Sequence, residues 1–208
     1  MNIMKRYLFI LAVIPALWSC EPEPDNLRLL DQLVVSTNFD PQAAFGTYTH
    51  YTIPKDTIGY VSNTSRDTIW TFTTAQPYPR KVIETVRNQM DSLGFTYVER
   101  DKDPDVGMNI YIIENLNLFQ QVYYPNYYSN YYGYGGYYYY PIVQTYAQNT
   151  ATLVVEMIDL KNRNASNQVK IVWNAYMGDV VNSVNYEQQS ISAIKTAFKQ
   201  SDYLRVNQ

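Results

Sequence analysis

The chain has 208 residues, enough for one domain with a substantial core. Its formal charge of -3 argues against nucleic acid, whose recognition demands a basic surface. Hydrophobic residues make up 46% and charged residues 17%, and the one unusual count is 22 tyrosines, 11 of them within Tyr123–Tyr140.

In chain order, Lys5 and Arg6 precede the apolar run Tyr7–Trp18, which ends at Ser19-Cys20. A positive start, an apolar middle and a small residue before the break mark a secretory signal, read here as residues 1–19. The run falls short of the ~20 residues that span a bilayer. Cys20 is the only cysteine, so no intramolecular disulfide can form. Leu17-Trp18-Ser19-Cys20 resembles the bacterial lipobox, in which the signal is cut before a cysteine that receives lipid. Cys20 is therefore the expected lipidation site, and its diacylglycerol would meet the need for two or more chains in a stable anchor. The expected location is the outer membrane, lipid-anchored, on the periplasmic face or the cell surface. Loss of residues 1–19 removes Lys5 and Arg6 and leaves 14 basic against 19 acidic residues, a charge of -5.

Glu21-Pro22-Glu23-Pro24-Asp25 opens a tether over residues 20–30 that prolines keep extended. It reads equally as a solvated spacer or, by similarity to acidic residues after the lipidated cysteine in Bacteroidetes lipoproteins, as a surface-export signal. The folded domain is expected over residues 31–206. Leu33-Val34-Val35 and Thr47–Ile53 are β-rich, with a turn at Asp40–Phe45 between them. Pro54–Gln76 has little periodicity and reads as a surface excursion, with a short strand possible at Thr68–Thr73. Pro79–Leu93 is predicted helical, because Val82, Ile83, Val86, Met90 and Leu93 form one stripe and Gly94 can close it in a left-handed conformation. Phe95–Val98 is then a strand, Arg100–Pro104 a charged turn, and Val106–Phe119 a strand with Met108, Ile110 and Ile112 on one face.

Tyr123–Tyr140 pairs its tyrosines instead of alternating them, and Pro125, Gly133, Gly135 and Gly136 interrupt any ladder. A projecting loop is expected. Tyr127, Tyr128, Tyr131, Tyr132, Tyr134, Tyr137 and Tyr138 are its candidate contacts with an envelope protein or a glycan, since tyrosine offers large area at low entropy cost. The competing reading is a low-complexity insert. Thr152–Trp173 follows as an antiparallel hairpin with a polar loop, Asp159 accepting backbone N–H groups at the turn and Trp173 anchoring the core. Tyr186–Phe198 is the second predicted helix. Together these elements give an α+β fold, a mainly antiparallel sheet with two helices packed on one face, in a single domain.

Candidates for chemistry are few. His50 is the only histidine and lies among Tyr and Thr in a predicted strand, so a structural role is favoured over a triad. Asp101, Asp103 and Asp105 mimic a calcium loop, but Gly107 comes one position late and Ile112 stands where the terminal Glu belongs. Asp105 is expected to orient the strand after it. No catalytic residue, metal site or cofactor is expected, and no enzymatic activity.

The blocks Thr37-Asn38-Phe39-Asp40 with Phe45-Gly46-Thr47-Tyr48, Leu93-Gly94-Phe95, Pro104-Asp105-Val106, Leu153–Asp159 and Ile171-Val172-Trp173 resemble, in this order, domain-of-unknown-function family 4136. The resemblance covers about Val34 to Leu204 and implies a Gram-negative lipoprotein with no assigned catalytic residues. Ala151-Thr152 stands where that family often has Gly before the central strand, and Asn174-Ala175 replaces its usual Arg-Gly. The expected role is a cell-envelope binding or assembly protein using the aromatic loop. The alternative is a purely structural envelope lipoprotein without a small-molecule ligand.

Overall fold

The computed structural model describes residues 35–61, 68–71, 77–113, 151–163, 169–180 and 184–206. The signal, the tether and the tyrosine-rich stretch lie outside the described residues. The elements in order are β1 (Val35–Phe39), β2 (His50–Thr52), β3 (Thr57–Val61), β4 (Thr68–Thr71), α1 (Tyr78–Ser92), β5 (Thr96–Tyr97), β6 (Val106–Ile113), β7 (Thr152–Asp159), β8 (Lys170–Met177) and α2 (Tyr186–Lys199).

The strands form one eight-stranded sheet ordered β1-β8-β7-β6-β2-β5. Its centre is β6, β7 and β8, antiparallel and paired along nearly their whole length. The far edge of β6 is shared: β2 pairs with it at Val106 and Gly107, and β3 at Tyr111–Ile113, with β4 outside β3. These β6 pairings and the β2–β5 pair are parallel and short, so the sheet is mixed, antiparallel along most of its length but not purely so. The cause is α1. Parallel neighbours require a crossover, and the helix between β2 and β5 supplies it.

Both helices pack on one face, as the apolar patterns predict. Val82, Ile83, Val86 and Met90 of α1 and Ala193, Ile194, Ala197 and Phe198 of α2 join a core with Met108, Ile110, Ile112, Leu153, Val155, Met157, Trp173 and Ala175. Trp173 is fully buried, its ring 5.1 Å from that of Phe198 and its Nε1 donating to Ser201 Oγ at 2.9 Å. Pro79 stands in the first turn of α1, where a missing N–H costs nothing. Gly94 ends the helix at φ 93, and a Cβ there would also press on Val206 at 3.4 Å.

The segment Pro54–Gln76 is more than a surface excursion. It contributes β3 and β4, and Ile58 is fully buried. A short parallel strand places only alternate residues in the core, which leaves too little periodicity to read. Among the described residues the first strand covers Val35–Phe39, so it extends beyond the predicted Leu33-Val34-Val35, and Phe45–Thr47 is a 3-10 turn.

Ala151, just before β7, has φ 21. A Cβ is strained there, and glycine would relieve it. Ala151→Gly should raise the unfolding free energy by about 0.5–1 kcal/mol despite the added chain entropy. Chemical denaturation of the two proteins checks this, and a loss of stability would show that the buried methyl outweighs the strain.

Candidate functional site

One end of the sheet carries a polar network built on three buried carboxylates. Asp105, at the start of β6, lies beside β2 because those strands run parallel. Its Oδ2 accepts the backbone N–H of Thr49 at 2.8 Å and of His50 at 3.0 Å, and the Thr49 hydroxyl at 3.0 Å. Lys161 Nζ stands 3.0 Å from Oδ1 and also donates to the Thr47 carbonyl at 2.8 Å. The Asp105 carbonyl accepts from the N–H groups of Leu160 and Lys161 at 2.9 and 3.1 Å. Burial alone would raise this carboxyl's pKa. The donors from Thr49, His50 and Lys161 outweigh it and hold the group well below the ordinary carboxylate range.

Asp159 ends β7 and accepts the Tyr48 hydroxyl at 2.6 Å and the Asn162 backbone N–H at 2.8 Å, the turn role expected of it. Burial, then the nearby carboxylate, push the Tyr48 phenol well above its usual value, so it stays a donor. Asp40 accepts from the Gln42 N–H at 3.0 Å and pairs with Lys170. Each carboxylate thus ties one connection to another. His50 is exposed, with Nδ1 2.9 Å from Thr49 Oγ1 and 3.6 Å from Asp105 Oδ2.

Beside this network opens a cleft of about 560 Å³ lined by Arg100, Asp103, Pro104, Asp105, Leu160, Lys161 and Arg163. Asp103 holds φ 48, which turns the charged loop over the cleft's edge. Among the described residues no group of three His, Cys, Asp or Glu could hold a metal ion. No described helix is long and apolar enough to cross a membrane.

The sheet's other face, away from both helices, carries a polar row. Asn38 pairs in register with Asn174, Asn174 with Glu156, and Glu156 with Asn109. Tyr111 donates to Glu156 Oε1 at 2.6 Å, and Asn38 Nδ2 to Asn174 Oδ1 at 3.2 Å. Glu156, Asn174 and Asn109 are fully buried, and neither amide atom of Asn109 has a hydrogen-bond partner among the described residues.

The sequence-predicted site residues Cys20, Tyr127, Tyr128, Tyr131, Tyr132, Tyr134, Tyr137 and Tyr138 lie outside the described residues. The connection that contains the tyrosine-rich stretch runs from Ile113, which ends β6, to Thr152, which begins β7, and these two residues face each other in register. Tyr48, Asp40 and the polar row were not singled out from sequence. A lone polar residue inside each apolar strand (Asn109, Glu156, Asn174) was the signal that could have found the row.

A crystal structure of a DUF4136 family protein from Bacteroides thetaiotaomicron aligns with a TM-score of 0.65 at 23% identity, over 85% of this chain and 98% of that one. Two more distant alignments are to the PelC dodecamer of Paraburkholderia phytofirmans, with a TM-score of 0.41, and a PDZ domain protein of Parabacteroides distasonis, with 0.44. Both are 12% identical; they cover 85% and 80% of this chain, and 99% and 35% of theirs. No curated protein sequence matches the chain. The family DUF4136, a domain of unknown function, matches residues 35–201, and the chain belongs to it.

Proposed function

We propose that this protein is a lipid-anchored outer-membrane component of the cell envelope. In this reading it is a binding or assembly module and not an enzyme, and its tyrosine-rich stretch contacts an envelope protein or glycan. The observation that carries the reading is the direction of the strands. Val35 pairs with Met177, Met177 with Leu153, and Leu153 with Ile112. The start of β1 and the connection from Ile113 to Thr152, which contains the tyrosine-rich stretch, therefore lie at the same end of the sheet. From Cys20 to Val35 the chain reaches at most about 50 Å. In this reading the tyrosine-rich stretch meets partners that are themselves held near the membrane.

Two results test this. Cys20→Ser should release a folded protein from detergent-extractable membranes; a variant that still fractionates with them removes the anchor assignment. In the full-length protein, serine at Tyr127, Tyr128, Tyr131, Tyr132, Tyr134, Tyr137 and Tyr138 should abolish crosslinking to envelope partners in native cells. An unchanged crosslinking pattern would favour the purely structural lipoprotein.

A further inference from the structure

We propose that the sheet's second face, the one away from both helices, packs against the chain's own connection between β6 and β7, residues 114–150, through the aliphatic residues near its two ends. This does not rest on the lipid anchor or on a partner of the tyrosines. Beside the polar row of Asn109, Glu156 and Asn174 runs another row in register, Tyr111 with Val154 and Val154 with Tyr176. All six side chains are at most 1% exposed. Yet Tyr111, Val154 and Tyr176 are no part of the core that the helices share, and among the described elements both helices lie on the opposite face. A sheet face is buried only by packing on another layer. The layer on this face therefore comes from residues outside the described ones.

Length and charge choose the segment. The other internal stretches outside the described residues hold at most six residues, 62–67, too few to run the length of strands of eight residues, about 26 Å. The connection numbers 37 residues, 114 through 150, and it starts and ends at one place, because Ile113 and Thr152 face each other. A run of about eight residues along the face and another back would use fewer than half of them. The connection carries a single charged residue, Glu114, whereas residues 20–34 carry Glu21, Glu23, Asp25, Arg28 and Asp31. Laying those carboxylates against a face that already buries Glu156 would add desolvation to repulsion. Leu116, Leu118, Phe119 and Val122 on one flank, with Ile142 and Val143 on the other, offer apolar area to Val154 and the two tyrosine rings. The interspersed amides of Asn115, Asn117, Gln121 and Gln144 bring both donors and acceptors to a face where neither amide atom of Asn109 has a partner among the described residues. The aliphatic flanks thus serve the fold, and the tyrosines between them are left for other contacts.

The test uses the purified full-length protein in non-ionic detergent, where no envelope partner is present. A diazirine-bearing leucine analogue is placed at Val154 and irradiated, and its crosslinks are mapped by mass spectrometry. Intramolecular crosslinks to residues 114–122 or 141–150 are expected. Crosslinks confined to Tyr123–Tyr140 would put the tyrosines in the core and overturn the division between flanks and middle. Crosslinks to residues 20–34, crosslinks to a second copy of the chain, or none at all overturn the proposal outright. Thiol protection gives an independent readout in the Cys20→Ser background, where the engineered thiol is the only one. Val154→Cys should react with a maleimide at least about a hundredfold more slowly than Val184→Cys, at a residue 99% exposed. Serine at Leu116, Leu118, Phe119, Ile142 and Val143 should raise the Val154→Cys rate about tenfold or more, while amide exchange in α1 and α2 stays slow and shows the helix-side core intact. An unchanged rate in that variant overturns the proposal. Should the serine variant fail to fold, the crosslinks of the unaltered connection still decide.

Discussion

Trp173→Ala should lower the unfolding free energy by about 3–5 kcal/mol, the usual cost of truncating a buried aromatic. Its ring is fully buried between the central strands and α2, packs on Phe198, and donates to Ser201. Truncation would open a cavity beneath α2 and leave the Ser201 hydroxyl without its indole donor. For a domain of this size that corresponds to roughly 6–20 °C in melting temperature. Thermal and chemical unfolding beside Val184→Ala, at a residue 99% exposed, gives the comparison. A shift no larger than that control would mean that the core closes over the missing ring.

The second large effect concerns Asp105. Asp105→Ala should cost about 2–4 kcal/mol at neutral pH, because it strands the donors from Thr49 and His50 and removes the carboxylate partner of Lys161, which keeps its bond to the Thr47 carbonyl. Asp105→Asn keeps one acceptor oxygen but no charge and should lose less. The sign of the pH dependence follows from the depressed folded-state pKa. The carboxylate's contribution is fully present above its unfolded value of 3.8, and is lost progressively as the pH falls below it. The stability gap between the wild-type protein and Asp105→Asn should therefore narrow on acidification through that range. A gap independent of pH down to 3 would show that the charge of Asp105 does not support the fold.

Much of the architecture could be read from the residues. The stripe Val82, Ile83, Val86 and Met90 and the glycine after it placed α1, and Met108, Ile110 and Ile112 identified the helix-facing side of β6. Asp105 and Asp159 were recognised as turn-fixing residues because an aspartate at a strand end can meet exposed N–H groups. Strand direction was not legible. Whether β2 and β3 lie parallel or antiparallel to β6 depends on the path of the chain through α1, and no local pattern records that path. The cleft was equally hidden, because Arg100 and Arg163 are far apart in sequence and line it together only in the fold. Asn109, Glu156 and Asn174 looked like isolated polar residues until pairing aligned them in one row.

The outermost strand, β1, has one further consequence. Asn38 and its partner Asn174 are 136 positions apart, and among the described residues every pairing of β1 is with β8. On a chain made from its N-terminus, the first strand of the domain must wait for the last one before it has a neighbour. Closing so long a loop is slow, and an unpaired strand edge is prone to aggregate meanwhile. A nascent chain halted before Lys170 would present Val35–Phe39 without the strand it pairs with in the folded domain.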